Sequence, residues 1–166
     1  MRTTRQWIRD YPATIHETLI IIQWSTWERT EWLINNKWYQ INASGTDQIP
    51  DEYQQQYKEY IAGIDLSQKI IESHELIWKF HQELNNLNIN HIFFNGNNHF
   101  GIVHNNRRYD WGTSYIEPYN PKMTYTQWLL DNKHDTVSPN SYHFGKDAHA
   151  AWARFMLQYI VKHKLI

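Results

Sequence analysis

The sequence predicts an α/β domain in which helices cover a short sheet of parallel strands. Residues 19–23 and 91–95 are short apolar runs without the alternation of a half-exposed strand, which is typical of strands buried on both faces. Residues 67–87 and 147–163 repeat apolar side chains at three- and four-residue intervals, which predicts two helices that each bury one side. Helices alternating with strands favour a layered fold, because parallel strands need a crossover between them.

The composition indicates a single α/β domain spanning residues 1–166. Hydrophobic residues make up 41% of the chain, so a sizeable core can form, and the absence of cysteine excludes disulfides and thiolate chemistry. The formal net charge of −1 gives no attraction to nucleic acid or to an anionic membrane, and we expect neither as a partner. No run is long enough to span a membrane and no signal peptide is recognisable, so we expect a cytoplasmic protein.

The first third of the chain is expected to contain a short helix, a strand and the start of a second helix. Residues 3–9 form the short helix, which ends at Tyr11 because the residue before a proline is disfavoured in the helical conformation. Residues 19–23 form the first buried strand, and residues 28–35 are expected to begin a helix. Residues 36–50 are expected to be irregular, since they contain glycine and proline.

The rest of the chain carries the second strand and the longer helices. Asp51 is expected to cap a polar helix over residues 52–61, and the long helix then leads to the strand at 91–95. Residues 97–140 are expected to be irregular, with aromatic side chains that belong either to the core or to a contact surface. Asp147 is expected to cap the closing helix, because a short acidic side chain accepts hydrogen bonds from the first turn.

Polar and aromatic residues directly follow the first strand, at the end where open α/β sheets bind ligands. Five of these candidates are consecutive and a sixth ends the second strand: Ser25, Thr26, Trp27, Glu28, Arg29 and Asn95. Ser25 is the best local nucleophile, although a turn or cap serine is the commoner role. Glu28 and Arg29 are either an acid and an anion clamp or the solvated start of a helix. We expect all of these residues except Ser25 to contact a substrate.

The ten histidines do not have the spacing of a known metal site. His99 with His104, or His143 with His149, offer two ligands each, but no His-Glu-x-x-His pattern is present. We therefore predict no metal and no cofactor.

Three segments follow one another in an order and at a spacing that can be compared with known families. The segment His143-Phe-Gly-Lys-Asp-Ala-His149 closes the chain with two histidines six residues apart, residues 19–28 form a strand and turn, and residues 91–96 form the next strand. Together they resemble the SGNH (GDSL-like) hydrolases, particularly the divergent members encoded by marine phages. In that family the closing block carries the catalytic histidine, and the first of these strands leads to an oxyanion-hole asparagine.

The resemblance implies a three-layer α/β/α fold with a flavodoxin-like parallel sheet, truncated on its N-terminal side. It also implies that His143 is a catalytic base, and that Asn140 stands where the family has its acid. The nucleophile turn, Gly-Asp-Ser or Gly-Asn-Ser, has no counterpart before residue 19, so Ser25 or a water has to replace it. Trp27 occupies the position of the oxyanion-hole asparagine, which changes that donor.

A truncated sheet would leave the strand at 19–23 with an open apolar edge. Natural proteins rarely leave such an edge uncovered, so we expect two chains to pair there as a homodimer. The alternative is that Met1 is an internal start within a longer natural protein.

Two functions of different classes are consistent with these residues. The first is a weak or degenerate hydrolase that acts on an ester, such as an acyl or acetyl group on a carbohydrate. The second is a non-catalytic binding or assembly protein built on the same fold, with the aromatic segment 111–128 as its contact surface. For a phage protein, the expected location is the cytoplasm of the infected host cell.

Overall fold

A computed structural model describes residues 1–43, 45, 49–139, 141 and 143–166 and has a mixed α/β fold. The described helices are α1 (Arg2–Asp10), α2 (Gln54–Ala62), α3 (Leu66–Asn86), α4 (Tyr125–Asp131) and α5 (Lys146–His163). The described strands are β1 (Leu19–Trp24), β2 (Thr30–Ile34), β3 (Lys37–Ile41) and β4 (Asn90–Asn95). Both predicted strands and both predicted long helices are thereby confirmed.

The centre of the fold is the parallel pair formed by β1 and β4. Leu19 lies opposite Asn90 and Trp24 lies opposite Asn95, with no shift along the six residues of each strand. On its other side β4 bonds to a short extended segment, because Phe93 N donates to the carbonyl oxygen of Ser114 at 2.8 Å. The strand β4 is therefore central and almost wholly buried, as predicted. Among the described residues β1 has β4 as its single strand neighbour, and its side chains are half-buried or exposed, so the prediction that both faces of β1 are buried is wrong.

Each face of this sheet packs against a long helix. On one face Phe93 belongs to an apolar cluster with Ile77, Phe80 and Leu84 of α3. On the opposite face Ile92 and Phe94 belong to a second cluster, to which α5 contributes Ala148, Trp152, Met156 and Ile160. The apolar stripes predicted for both helices are thus confirmed over most of their length, although Leu66 and Leu87 at the ends of the α3 stripe are exposed.

Residues 28–41 differ from the prediction, because they form an antiparallel hairpin and not the start of a helix followed by irregular chain. The strands β2 and β3 pair from Thr30 opposite Ile41 to Ile34 opposite Lys37. Asn35 and Asn36 close the turn with φ values of 49° and 61°, the conformation that a two-residue hairpin turn requires. Asparagine tolerates this left-handed region, so an Asn-Asn pair can replace the more familiar Asn-Gly.

The hairpin has an apolar core of its own. Ile34 and Ile41 pack with Ile49 and Tyr57, which anchors β2 and β3 against α2. The hydroxyl group of Tyr57 donates to the carbonyl oxygen of Asn42 at 2.6 Å.

Three other local predictions are wrong. Residues 51–53 form a short 3₁₀ turn, and the N-cap of α2 is Tyr53 with no side-chain capping bond, so Asp51 does not cap this helix. The segment 97–140 contains the helix α4, which Thr124 caps by accepting a hydrogen bond from Gln127 N, and its Trp111 and Tyr115 are core residues, 4% and 3% exposed. The N-cap of α5 is Gly145, with no side-chain capping bond. Asp147 lies in the first turn of α5, where a carboxylate still favours the helix dipole.

A buried chain of hydrogen bonds ties the end of α3 to the start of β4. His91 Nδ1 lies 2.8 Å from the carbonyl oxygen of Ile89, so this nitrogen carries hydrogen. His91 Nε2 then accepts from His81 Nδ1 at 2.8 Å, and His81 Nε2 accepts from Asn85 Nδ2 at 2.9 Å. Every nitrogen of both rings is bonded when both imidazoles are neutral, so a proton on either ring disrupts the chain.

Acid should therefore destabilise the protein through this pair. Burial, followed by the neighbouring His91, lowers the pKa of His81 from 6.5 to about 4. A histidine whose pKa is lower in the folded state binds protons more readily when unfolded, so stability is complete above pH 6.5 and falls as the pH drops towards 4. The expected loss is about 3 kcal/mol in the free energy of unfolding, measured by urea denaturation at several pH values.

The variant His81→Leu should flatten this pH dependence, because the titrating ring is gone. His104→Leu, at an exposed ring, is the matched control for loss of an imidazole. Parallel pH profiles for the wild type and His81→Leu would contradict the assignment.

The glycine after β4 should be intolerant of any side chain. A Cβ at Gly96 would lie 2.8 Å from Gln23 Nε2 and 3.1 Å from the carbonyl oxygen of Trp24, whereas one at Gly145 would meet nothing within 4 Å. We expect Gly96→Ala to lower the free energy of unfolding by about 1–3 kcal/mol, and Gly145→Ala by less than about 1 kcal/mol. Thermal and urea unfolding would measure both, and equal losses would show that β1 and β4 are not held this closely.

Candidate functional site

A cavity of about 610 Å³ lies at the carboxyl end of β1. Four of the predicted site residues line it: Ser25, Thr26, Trp27 and Arg29. The other walls come from the start of α1, from the hairpin and from Ser73, Leu76 and Ile77 of α3. The cavity thus stands where ligands bind in open α/β sheets, and its size suits a small molecule.

The turn after β1 is held by its own hydrogen bonds. Thr26 Oγ1 donates to Glu28 Oε1 at 2.5 Å, and Arg29 N donates to the carbonyl oxygen of Thr26 at 3.3 Å. Tyr60 donates from its hydroxyl group to the carbonyl oxygen of Glu28 at 3.2 Å, which attaches the turn to α2. Glu28 therefore serves the turn itself, and it does not line the cavity with its four neighbours.

Of the two arginines that line the cavity, one forms an ion pair with a described residue and the other does not. Arg2 forms a two-point ion pair with Glu31, with distances of 3.0 and 2.8 Å from Nε and Nη2 to the carboxylate oxygens. The hydrogen bonds from Arg2 lower the pKa of Glu31, so this carboxylate stays ionised. Within the part of the chain that the structure describes, no acidic group pairs with the guanidinium of Arg29, which is exposed.

Two tryptophans that line the cavity have unsatisfied indole groups. Trp27 is 5% exposed and stacks on Phe100, with ring centroids 4.7 Å apart, while Trp24 packs against Phe80 and Phe93. The Nε1 atoms of both indoles are buried and have no acceptor among the described residues. A buried donor without an acceptor costs about 1–3 kcal/mol. Both nitrogen atoms are closed to solvent, as is Nε1 of Trp152 in the other core cluster, so they are features of the core and not contacts of the cavity.

His143 lies on the loop before α5, as predicted, with an exposed side chain. Its backbone N–H donates to Ser141 Oγ at 3.0 Å, and its carbonyl oxygen accepts from Val137 N at 2.9 Å. No hydrogen bond among the described residues joins its ring to Ser25 Oγ. Asn140, predicted as its partner, lies outside the described residues.

A series of contacts links the end of β1 to the start of α5. Gly96 N donates to the carbonyl oxygen of Trp24 at 2.7 Å, and Thr126 N donates to the carbonyl oxygen of Gly96 at 3.0 Å. Tyr125 then bonds through its hydroxyl group to His149 Nδ1 at 2.8 Å and packs edge-on against Phe144. The loop of His143 therefore approaches the carboxyl edge of the sheet on the α4 side, whereas Ser25 faces the cavity beside α3.

Sequence reasoning missed Tyr125 and Thr126, which sit at this edge because α4 begins directly beside Gly96. The threonine at the N-cap of α4 was the available signal, since a Thr followed by a short apolar repeat is typical of a helix start.

The side chain of Asn95 is bonded inside the protein core. Its side chain is 2% exposed, its Oδ1 accepts from the hydroxyl group of Tyr115 at 2.5 Å, and its Nδ2 donates to the carbonyl oxygen of Pro118 at 3.3 Å. Both ends of the amide are therefore engaged inside the core, and the residue does not line the cavity.

Among the described residues, His, Asp and Glu side chains do not gather in threes that could hold a metal ion. Of the helices described, none combines the length and apolar character needed to cross a membrane. No protein-family model, curated protein or solved structure matches the chain.

Proposed function

We propose that the protein binds a small ester, or an ester of a carbohydrate, in the cavity at the carboxyl end of β1. The observation that supports this proposal is the gathering of Ser25, Thr26, Trp27 and Arg29 around one space of about 610 Å³. The cavity combines an apolar wall from α3 with hydroxyl groups and a cation, which suits a ligand with an acyl group and polar oxygens.

We further propose that any catalysis here is weak ester hydrolysis of the SGNH type. Ser25 Oγ would attack the ester carbonyl carbon and pass its proton to His143, which would return it to the alcohol as the C–O bond breaks and an acyl-serine forms. Water, activated by the same histidine, would then release the acid and restore Ser25; both steps require the two side chains to approach within about 3 Å. Since His143 lies on the other side of the carboxyl edge and has no bond to Ser25, slow turnover or none is expected. The non-catalytic binding protein is the second candidate, favoured by this separation.

The test combines ligand binding with turnover. Ser73→Phe should fill the cavity and abolish binding of ethyl butyrate, followed by NMR shifts of the tryptophan indole groups, because Ser73 lines the space from α3. Ser67→Phe, on the exposed first turn of the same helix, is the matched control. Unchanged binding in Ser73→Phe would contradict the cavity as the ligand site.

Turnover of p-nitrophenyl butyrate then distinguishes the two candidates. Hydrolysis by this site should fall about tenfold or more in both Ser25→Ala and His143→Ala. Turnover that neither substitution changes would exclude the hydrolase and leave the binding protein.

We also propose that two chains pair along β1, completing a flavodoxin-like three-layer arrangement across the pair. Among the described residues β1 has β4 as its single strand neighbour, and Ile21 is 48% exposed. The segment 19–24 carries neither a charge nor a proline that would block pairing.

Light scattering after size-exclusion chromatography should therefore give twice the chain mass of 20.2 kDa. Ile21→Lys should shift the protein to the monomer mass, because an edge lysine prevents strand addition. Leu33→Lys, at an exposed residue of the hairpin, should remain dimeric. A monomeric wild type at micromolar concentration would refute the pairing.

A further inference from the structure

The helix α1 is attached to the rest of the protein with little apolar burial. No residue of α1 is fully buried, whereas α3 and α5 each bury several side chains. Among the described residues, the backbone groups of residues 1–10 bond only with one another and with Tyr11. Met1 and Ile8 are partly buried against the apolar cluster around Phe93, and they supply the apolar contact.

Two arginines make every hydrogen bond between the side chains of residues 1–10 and the rest of the described chain. Arg2 donates to both carboxylate oxygens of Glu31 on the hairpin. Arg5 donates to both oxygens of Glu83 on α3, from Nε at 2.9 Å and from Nη2 at 2.6 Å. Opposite charges therefore hold α1 across the space between the hairpin and α3.

The side chains of both ion pairs are open to solvent, with exposed fractions between 35 and 39%. Salt screens ion pairs at such exposure, and each pair favours the closed contact only about two- to fivefold. The α-amino group of Met1, which is attracted to both carboxylates, is screened in the same way. An element held by few buried contacts opens well before the core unfolds, and α1 is such an element.

The segment that follows α1 has the properties of a hinge. Residues 11–14 are all exposed, and their backbone bonds are local, from Tyr11 N to the carbonyl oxygen of Trp7 and from Thr14 N to that of Tyr11. The next residue, Ile15, packs against the same apolar cluster and marks the fixed end. A rotation within residues 11–14 therefore moves α1 without breaking a hydrogen bond of the sheet.

The start of α1 forms one wall of the cavity, through Met1, Arg2 and Thr3. The neighbouring walls are the hairpin and α3, which are the two elements that α1 bridges. Detachment of α1 therefore opens the cavity along one side.

We propose that α1 is a lid on this cavity, held shut by the ion pairs Arg2–Glu31 and Arg5–Glu83 and opened by rotation at residues 11–14. The closed helix shields one side of a ligand from water, and the open helix admits the ligand. The role as a lid rests on the proposed function, because it regulates access to the proposed ligand site. The motion of the helix is independent of the ligand and can be measured alone.

The sequence contains no cysteine, so one introduced thiol can report the opening of α1. The thiol of Ile8→Cys should react with neutral iodoacetamide about three- to tenfold faster in about 1 M than in about 0.02 M sodium chloride, because salt screens both ion pairs. Ile61→Cys is the matched control, since Ile61 is also partly buried but packs in the hairpin cluster. Its reaction rate should change less than about twofold, because no ion pair of α1 covers it.

Charge variants in the Ile8→Cys protein identify the ion pairs as the cause. Glu83→Gln should speed the reaction about two- to fivefold at low salt. Lys69→Gln removes another exposed ion pair of α3, the one with Glu72, and should leave the rate unchanged. Arg5→Glu and Glu83→Arg should each speed the reaction, and the two together should restore the slow rate. Packing of either side chain alone does not predict this rescue.

Hydrogen exchange in the unsubstituted protein is the second measurement, because Ile8→Cys can itself loosen the helix. The peptide covering residues 1–11 should exchange faster as salt is added, while the exchange of α3 should not change. Saturating ethyl butyrate should slow both the exchange of this peptide and the reaction of Ile8→Cys, since a bound ligand contacts α1 only when the helix is closed.

Salt-independent rates for both the thiol and the peptide, or failure of the paired charge exchange to restore the slow rate, would overturn the lid. If ethyl butyrate binds under those conditions, the proposed function stands without a lid. Salt-dependent opening together with no binding of ethyl butyrate would overturn the proposed function and leave the motion of α1 established.

Discussion

The close approach of β1 and β4 at Gly96 is the constraint on which the rest of the fold depends. The glycine N–H bonds to Trp24 at the end of β1, and its carbonyl oxygen accepts from Thr126 at the start of α4. A single residue without a side chain thus fixes the ends of two strands and the beginning of a helix. The turn that lines the cavity begins at the first residue after β1, so its position follows from the same contact.

A second fixed point holds the long segment between β4 and α4 against α3. The hydroxyl oxygen of Tyr119 accepts from Trp111 Nε1 at 2.9 Å and from Tyr109 N at 2.8 Å. With both lone pairs used, its hydrogen goes to His74 Nε2 at 2.9 Å in preference to the carbonyl oxygen of Tyr109 at 3.4 Å, which makes His74 neutral with its hydrogen on Nδ1. Burial lowers the pKa of His74, in agreement with this assignment. The Tyr119 hydroxyl group thus bonds to three other groups, and these bonds hold the irregular segment in place against α3.

The sequence predicted those elements whose pattern is set by burial. The strands at 19–23 and 91–95 and the stripes of α3 and α5 were visible because each packs one whole face or both faces against the core. The hairpin was missed because its turn uses Asn35 and Asn36 without glycine, and because Trp32 and Leu33 together look like a helical run. A cavity lies at the end of β1, where the sequence placed candidate substrate contacts, since strand ends and turns follow from topology. The distance between Ser25 and His143 depends on how the helices on the two faces of the sheet are placed. No local sequence pattern contains that information.

The walls of the cavity come from residues as distant in the chain as Thr3 and Ser73. They meet only when α1, the hairpin and α3 are all in place, so an unfolded chain offers no equivalent receptor. Occupancy and folding are consequently linked by mass action: a ligand at one hundred times its dissociation constant adds about 2.7 kcal/mol to the stability of the native state. For any ligand that binds this cavity, withdrawal of the ligand would therefore lower the stability of the native state and expose more of the unfolded chain to proteolysis.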